Sequence, residues 1–134
     1  MDLSKINFLA VLVAAASFFI IGGLWYSPLL FVRVWIKEAK LSEETLKQAN
    51  MGKVFGLAFL LSFIISFNLA AFLGQNAGLT WGITAGALAG IGWVAASVGI
   101  LYLFERSSFR LFLINAGYFA IAFMVAGGII GAWQ

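Results

Sequence analysis

Three stretches of this chain contain no aspartate, glutamate, lysine or arginine: Ile6–Val32, Val54–Phe104 and Leu111–Gln134. Runs of that length without charge cannot be clothed in polar surface, so they fix the solvent before any other feature is weighed. Composition agrees, with 63% hydrophobic and 10% charged residues in 134 and a mean hydropathy of +1.06, where a soluble domain carries about 25% charged. A hydrocarbon core ~30 Å thick needs about 20 helical residues at ~1.5 Å each. The first and last runs therefore hold one span apiece and the middle run two. The middle run divides at Gly74-Gln75-Asn76-Ala77-Gly78, where glycines tolerate positive φ and amides can bond free backbone groups. The sequence thus predicts an all-α, integral membrane four-helix bundle, a single domain over residues 1–134 with spans near 6–26, 54–73, 79–104 and 109–133. Met1–Lys5 followed by Ala14-Ala15-Ala16 has the outline of an export signal. The apolar run continues to Trp25, however, and Asp2 offsets Lys5, so a retained first span is expected.

Orientation follows from the basic residues. Arg33, Lys37, Lys40, Lys47 and Lys53 lie between spans 1 and 2, Arg106 and Arg110 lie between spans 3 and 4, and Lys5 alone lies on the other side. The positive-inside bias places residues 27–53 and 105–110 in the cytoplasm and both termini outside. Trp25, Tyr26 and Tyr102 then fall at cytoplasmic span ends and Trp81 and Trp133 at outer ends, as interfacial aromatic rings should.

The cytoplasmic segment 28–50 is amphipathic. Ser27 and Pro28 suit the N-cap and first position of a short interfacial helix over Leu29–Lys40. Phe31, Val32, Trp35, Ile36 and Ala39 form its apolar stripe, with Arg33, Lys37 and Lys40 displaced toward headgroups. Ser42 caps a second helix, with Glu43 and Glu44 in its first turn, that is expected to run through Leu46 and Asn50 into span 2. This segment reads either as a surface for lipid or docking, or as an anchor that sets the angle between spans 1 and 2. Basic and acidic residues interleave on it, so nucleic acid is not an expected partner. Glu105 and Arg106 are expected to form a charge pair at the membrane edge.

Helices in lipid associate through close packing of small residues. Gly78, Gly82, Gly86 and Gly90 recur at intervals of four, followed by Gly92, Ala95, Ala96 and Gly99. Span 2 offers Ser62, Ser66, Ala70 and Gly74, preceded by Gly52 and Gly56, and span 4 offers Ala116, Ala120, Gly127 and Gly131. These faces either close the bundle within one chain or join copies of it. Phe55, Phe59, Phe63 and Phe67 form a stripe expected to face lipid.

Without cysteine or histidine there is no thiolate, imidazole base or ordinary zinc site, and no acid or base lies in the interior of a span to mark a proton or ion path. No cofactor, metal or catalytic residue is expected, and the chain reads as a non-enzyme. Ser17, Ser62, Trp93, Ser97, Asn115 and Tyr118 fall roughly 9–16 Å from the cytoplasmic boundary. They suggest one polar level, either a solute or headgroup pocket or interhelical hydrogen-bond glue.

Gly22-Gly23-Leu24-Trp25-Tyr26-Ser27-Pro28-Leu29-Leu30-Phe31, with Trp35-Ile36-Lys37 and Leu41-Ser42-Glu43-Glu44, resembles the bacterial membrane family catalogued as domain of unknown function 1761. The similarity continues through Phe55-Gly56, Asn68-Leu69-Ala70, Thr80-Trp81-Gly82 and Ile114-Asn115-Ala116-Gly117-Tyr118. Val32-Arg33 departs from the family's glycine and lysine. The resemblance implies the same helical fold and a bacterial inner membrane and leaves the activity open. The expectation is a multi-pass inner-membrane protein acting as a structural or accessory subunit, with membrane lipid and either its own copies or a larger complex as partners. A channel or carrier for a small or amphipathic solute is the alternative.

Overall fold

Asn7 opens the first long helix by accepting the Ala10 N–H on its side-chain oxygen at 3.1 Å. The computed structural model describes residues 3–133, with only the backbone of Glu43. Met1, Asp2, Gln134 and the Glu43 side chain, which enter the expectations for the leader, the termini and the first-turn acids, lie outside the described residues. After a 3-10 turn at Leu3–Lys5 come α1 (Phe8–Trp25), α2 (Val32–Glu38), α3 (Glu43–Gln48), α4 (Met51–Leu73) and α5 (Gly78–Ala89). A π-helical segment, Gly90–Ala95, joins α5 to α6 (Ala96–Glu105), and α7 (Phe109–Ala132) completes the chain. No strand occurs among the described residues. Four helices are long and apolar enough to cross a membrane: α1, α4, the continuous rod Gly78–Glu105, and α7.

Helix ends follow the sequence chemistry in most places. Gly74 (φ 69°) closes α4, and Asn76 and Gly78 also take positive φ through the turn. Ser42 accepts from Thr45 N–H, and Ser108 accepts from Leu111 N–H to start α7. Two expectations fail. Ser27 does not cap α2: its hydroxyl donates back to Leu24 C=O at 2.7 Å, and the chain turns through residues 26–31 before α2 begins at Val32. The end of α1 holds this turn, because Trp25 C=O accepts from Phe31 N–H and Ser27 C=O from Val32 N–H. Nor does α3 run into α4. Ala49 is extended and Asn50 caps a new helix by accepting from Lys53 N–H, so α4 starts three residues before the expected Val54.

α7 is the element the others share. It packs against α1, α4 and α5, and α1 packs against α4, while the third rod touches α4 only slightly. The core joins Val11, Ala14 and Phe18 of α1, Leu69, Ala70 and Leu73 of α4, and Ala122, Phe123, Ala126 and Ile130 of α7. Ser62, Ser66 and Ala70 face inward, and the fully buried Ser66 hydroxyl has no hydrogen-bond partner among the described residues.

The glycine row of the third rod lies on α7. A Cβ on Gly82 would strike the Gly127 carbonyl, one on Gly86 the Phe123 carbonyl, and one on Gly131 the Gly78 carbonyl. Gly90 would meet Phe123 Cβ at 2.8 Å. Beyond Gly90 the π turn adds a residue, so the facing row steps by five to Ala95, which is buried, and then by four to Gly99, against Phe112. Gly92 and Ala96, which a strict helical reading also counted as packing, are exposed. Gly56 likewise has open space where a Cβ would stand. The phenylalanine stripe of α4 is not simply lipid-facing. Phe55 and Phe59 meet Phe19 at ring-centroid distances of 6.2 and 5.6 Å, Phe67 meets Phe8, and Phe63 packs on the core. Glu105 and Arg106 do not pair. Neighbours in sequence do not face each other on a helix, Arg106 takes the left-handed conformation that ends α6, and both side chains are exposed.

Candidate functional site

The last residues of α1 dock against the first half of α7 through polar atoms. Trp25 is the last residue of α1, and its indole N–H donates to Ile114 C=O at 2.8 Å. Its ring lies close enough to α7 that a Cβ on Gly117 would stand 3.0 Å from Trp25 Cζ2, so glycine there makes room for the indole. Tyr26, the residue that caps α1, donates from its phenol to Asn115 Oδ1 at 2.6 Å, and Asn115 Nδ2 donates to the Tyr102 phenol oxygen at 2.6 Å. Three helices, α1, α6 and α7, are thereby tied through one amide. One helical turn along α7 from Asn115, Tyr118 donates to Phe18 C=O at 3.0 Å and packs edge-on to Phe18. Gly22 packs beside that phenol, and a Cβ on it would touch the Tyr118 hydroxyl oxygen at 3.4 Å.

Aromatic rings enclose this network. Tyr26 contacts Trp35 of α2 at 5.3 Å and Tyr118 at 5.6 Å, and Trp25 contacts Phe31 at 4.9 Å. The stripe expected on α2 is what does the docking: Phe31, Val32, Trp35, Ile36 and Ala39 are partly buried, and Arg33, Lys37 and Lys40 are exposed. Lys40 ends the helix with positive φ. Beside the network, between α1, α2 and α4, opens a cleft of about 730 Å³ lined by Phe18, Phe19, Gly23, Trp35, Phe55 and Tyr118 among others.

The polar residues expected at one level do not form one site. Asn115 and Tyr118 belong to the network, and Ser62 borders the cleft. Ser17 and Ser62 donate to carbonyls of their own helices, Ala14 and Ala58. Trp93 and Ser97 lie exposed on the outer side of the third rod, where the Ser97 hydroxyl donates to Trp93 C=O at 2.6 Å and the indole packs on Phe72. Equal depth does not mean equal azimuth, and a helical hydroxyl readily takes the carbonyl one turn back. The sequence reading missed the link from Asn115 to Tyr26 and Tyr102, which it treated as interfacial belt residues. The available signal was that Trp25-Tyr26 and Ile114–Tyr118 both lie in the motifs that carry the family resemblance. Among the described residues, no group of three or more histidine, cysteine, aspartate or glutamate side chains comes together. The chemistry on offer is neutral: phenol and amide hydrogen bonds at the end of an apolar cleft.

Four long apolar helices, with a short amphipathic pair between the first two, define a multi-pass membrane protein. Neither a curated protein nor a solved structure matches the chain. The family described as Protein of unknown function (DUF1761) matches over residues 9–131, and the chain belongs to that family. The residues that met in the site, Trp25, Tyr26, Asn115, Gly117 and Tyr118, all lie within the matched range.

Proposed function

We propose that this is a bacterial inner-membrane protein without catalytic activity that serves as a structural or accessory subunit of a membrane complex. The observation that carries the reading is the use of the polar groups. Trp25, Tyr26, Asn115 and Tyr118 all direct hydrogen bonds to partners within the chain. A carrier or an enzyme of this size needs polar or ionisable groups turned toward a solute, and the acids and bases of the four spans, Lys53, Glu105 and Arg110, sit in their terminal turns. The glycine row is occupied by α7 and therefore gives no support for contact between copies. The surface left for a partner is the outer side of the third rod, where Leu88, Ile91, Trp93 and Ile100 are exposed.

In this reading α2 and α3 lie at the cytoplasmic surface, and both termini and the Gly74–Gly78 turn lie outside, on the strength of the lysine and arginine distribution. Purification from the native host in mild detergent tests the subunit role: a stoichiometric membrane partner should accompany the protein. A protein that elutes alone, or one that moves a solute across proteoliposomes, overturns it. The absence of cysteine makes the orientation directly testable. Gln48→Cys should react with a membrane-impermeant maleimide only after lysis, and Gln75→Cys in intact spheroplasts; the reverse pattern inverts the topology.

A further inference from the structure

α4 presents two faces. Ser62, Ser66, Leu69, Ala70 and Leu73 are buried against the bundle, and on the opposite side of the helix Leu57, Leu61, Ile64 and Asn68 are exposed. The exposed set is spaced by four, three and four residues, the a/d repeat of two helices that wrap round one another. Asn68 is its one polar member. It lies five residues, about 8 Å, inside the end of α4 at Leu73, at a depth where the surrounding hydrocarbon offers no hydrogen bond.

Only part of this amide is used within the chain. Asn68 Nδ2 donates to Ile64 C=O at 2.8 Å, which leaves Oδ1 on the arm of the amide turned away from that carbonyl. Among the described residues no donor reaches Oδ1, and a second N–H on Nδ2 is left over. Trp93 borders the same groove between α4 and the third rod, yet its ring packs on Phe72 and no hydrogen bond joins it to Asn68.

An acceptor and a donor side by side in hydrocarbon are satisfied together by a partner that carries both, and an asparagine does. Two copies inserted with the same topology hold Asn68 at the same depth. A twofold axis along the membrane normal then brings one amide to the other, and each donates to and accepts from its counterpart. A lipid tail carries neither group, and the helix of a different protein would need a polar residue at that same depth.

We propose that the protein forms a parallel homodimer in which α4 packs on α4 of a second copy along Leu57, Leu61, Ile64 and Asn68, with the two Asn68 amides paired. The contact uses α4 and not the outer side of the third rod. It forms whether or not another subunit binds, so it and the accessory role stand or fall separately.

The absence of cysteine makes the contact testable in membranes of the expressing host. Mild oxidation should link Leu61→Cys or Ile64→Cys into a covalent dimer, because facing positions of such a helix pair lie within the reach of a disulfide. Leu60→Cys, comparably exposed but roughly 100° round the helix, should stay monomeric. Asn68→Leu should raise the dimer dissociation constant in detergent about eightfold through loss of two interhelical bonds, with helix content unchanged. Asn68→Gln keeps both donor and acceptor and should dimerise at concentrations where Asn68→Leu is monomeric. A wild-type protein that is monomeric at every concentration overturns the proposal, as does equal linking at Leu60 and Leu61. So does an Asn68→Leu dimer as tight as the wild type, or Ile64→Cys linked to a different protein in place of a second copy.

Discussion

The contact of Gly82 with Gly127 permits a quantitative test of what holds the third rod to the rest of the chain. A Cβ on Gly82 would lie on the Gly127 carbonyl, 2.9 Å from its carbon and 3.2 Å from Gly131 Cα. Conversely, a Cβ on Gly127 would lie on the Gly82 carbonyl, 3.0 Å from its carbon and 3.3 Å from Gly86 Cα. Carbon atoms in good contact sit about 3.5–4.0 Å apart, and the atoms met here are backbone, which cannot rotate away. The helices must separate, and overpacking of this kind costs about 1–3 kcal/mol. Alanine in place of a mid-helix glycine returns up to about 1 kcal/mol of helix propensity. Each of Gly82→Ala and Gly127→Ala should therefore destabilise by a net of order 1–2 kcal/mol. One outward shift of α5 relieves both clashes, so the double variant should cost less than the two singles together, by about 0.5–3 kcal/mol of coupling. Gly92→Ala, with nothing near its Cβ, should be neutral or stabilising by up to about 1 kcal/mol. The assay is reversible unfolding by dodecyl sulfate in mixed micelles, followed by far-ultraviolet circular dichroism. If Gly82→Ala gains stability as Gly92→Ala does, or if the double variant is simply additive, the packing argument is refuted.

The polar network gives a smaller expected loss. Asn115→Leu removes the bonds to Tyr26 and Tyr102 and should cost about 1 kcal/mol in the same assay, at about 0.6 kcal/mol per interhelical bond, whereas Tyr26→Phe and Tyr102→Phe should each lose about half of that. An unaltered Asn115→Leu transition would mean that the amide is not a tie between helices. Gly117→Val should displace the Trp25 ring from α7 and change its emission, with Trp25→Phe as the reference that identifies which indole reports; identical spectra would remove Gly117 from the role of making room. Ser108→Ala deletes the side-chain cap on Leu111 N–H and should cost about 1 kcal/mol, while Ser27→Ala, whose hydroxyl only donates back to Leu24, should cost clearly less. Similar losses for the two serines would contradict the boundary assigned to α2.

Much of the fold was legible because it depends on local chemistry. The uncharged runs marked the spans, Gly74 to Gly78 marked the turn, and Ser42 marked the start of the helix it caps. Ser27 misled because a serine between two helices can serve either, and the end of α1 took it. The site was less legible. Asn115 and Tyr118 stood out as polar residues in an apolar helix, but their partners are 89 and 100 residues away in the chain. Depth along a helix can be counted from sequence; direction around it cannot once a π turn intervenes, and Trp93 and Ser97 were misplaced for that reason.

Sequence alone determined the solvent, the number of spans and the spacing of the small residues, since each depends on residues close in the chain and on the thickness of a bilayer. Tertiary structure decided which small faces meet. It set Gly82 and Gly86 on the backbone of α7, left Gly56 and Gly92 open, and brought Trp25 and Tyr26 onto Asn115 and Gly117. Helices in lipid gain nothing from hiding one apolar face rather than another. Their choice of partner is settled by backbone proximity and by a few hydrogen bonds, and both exist only once the helices are side by side.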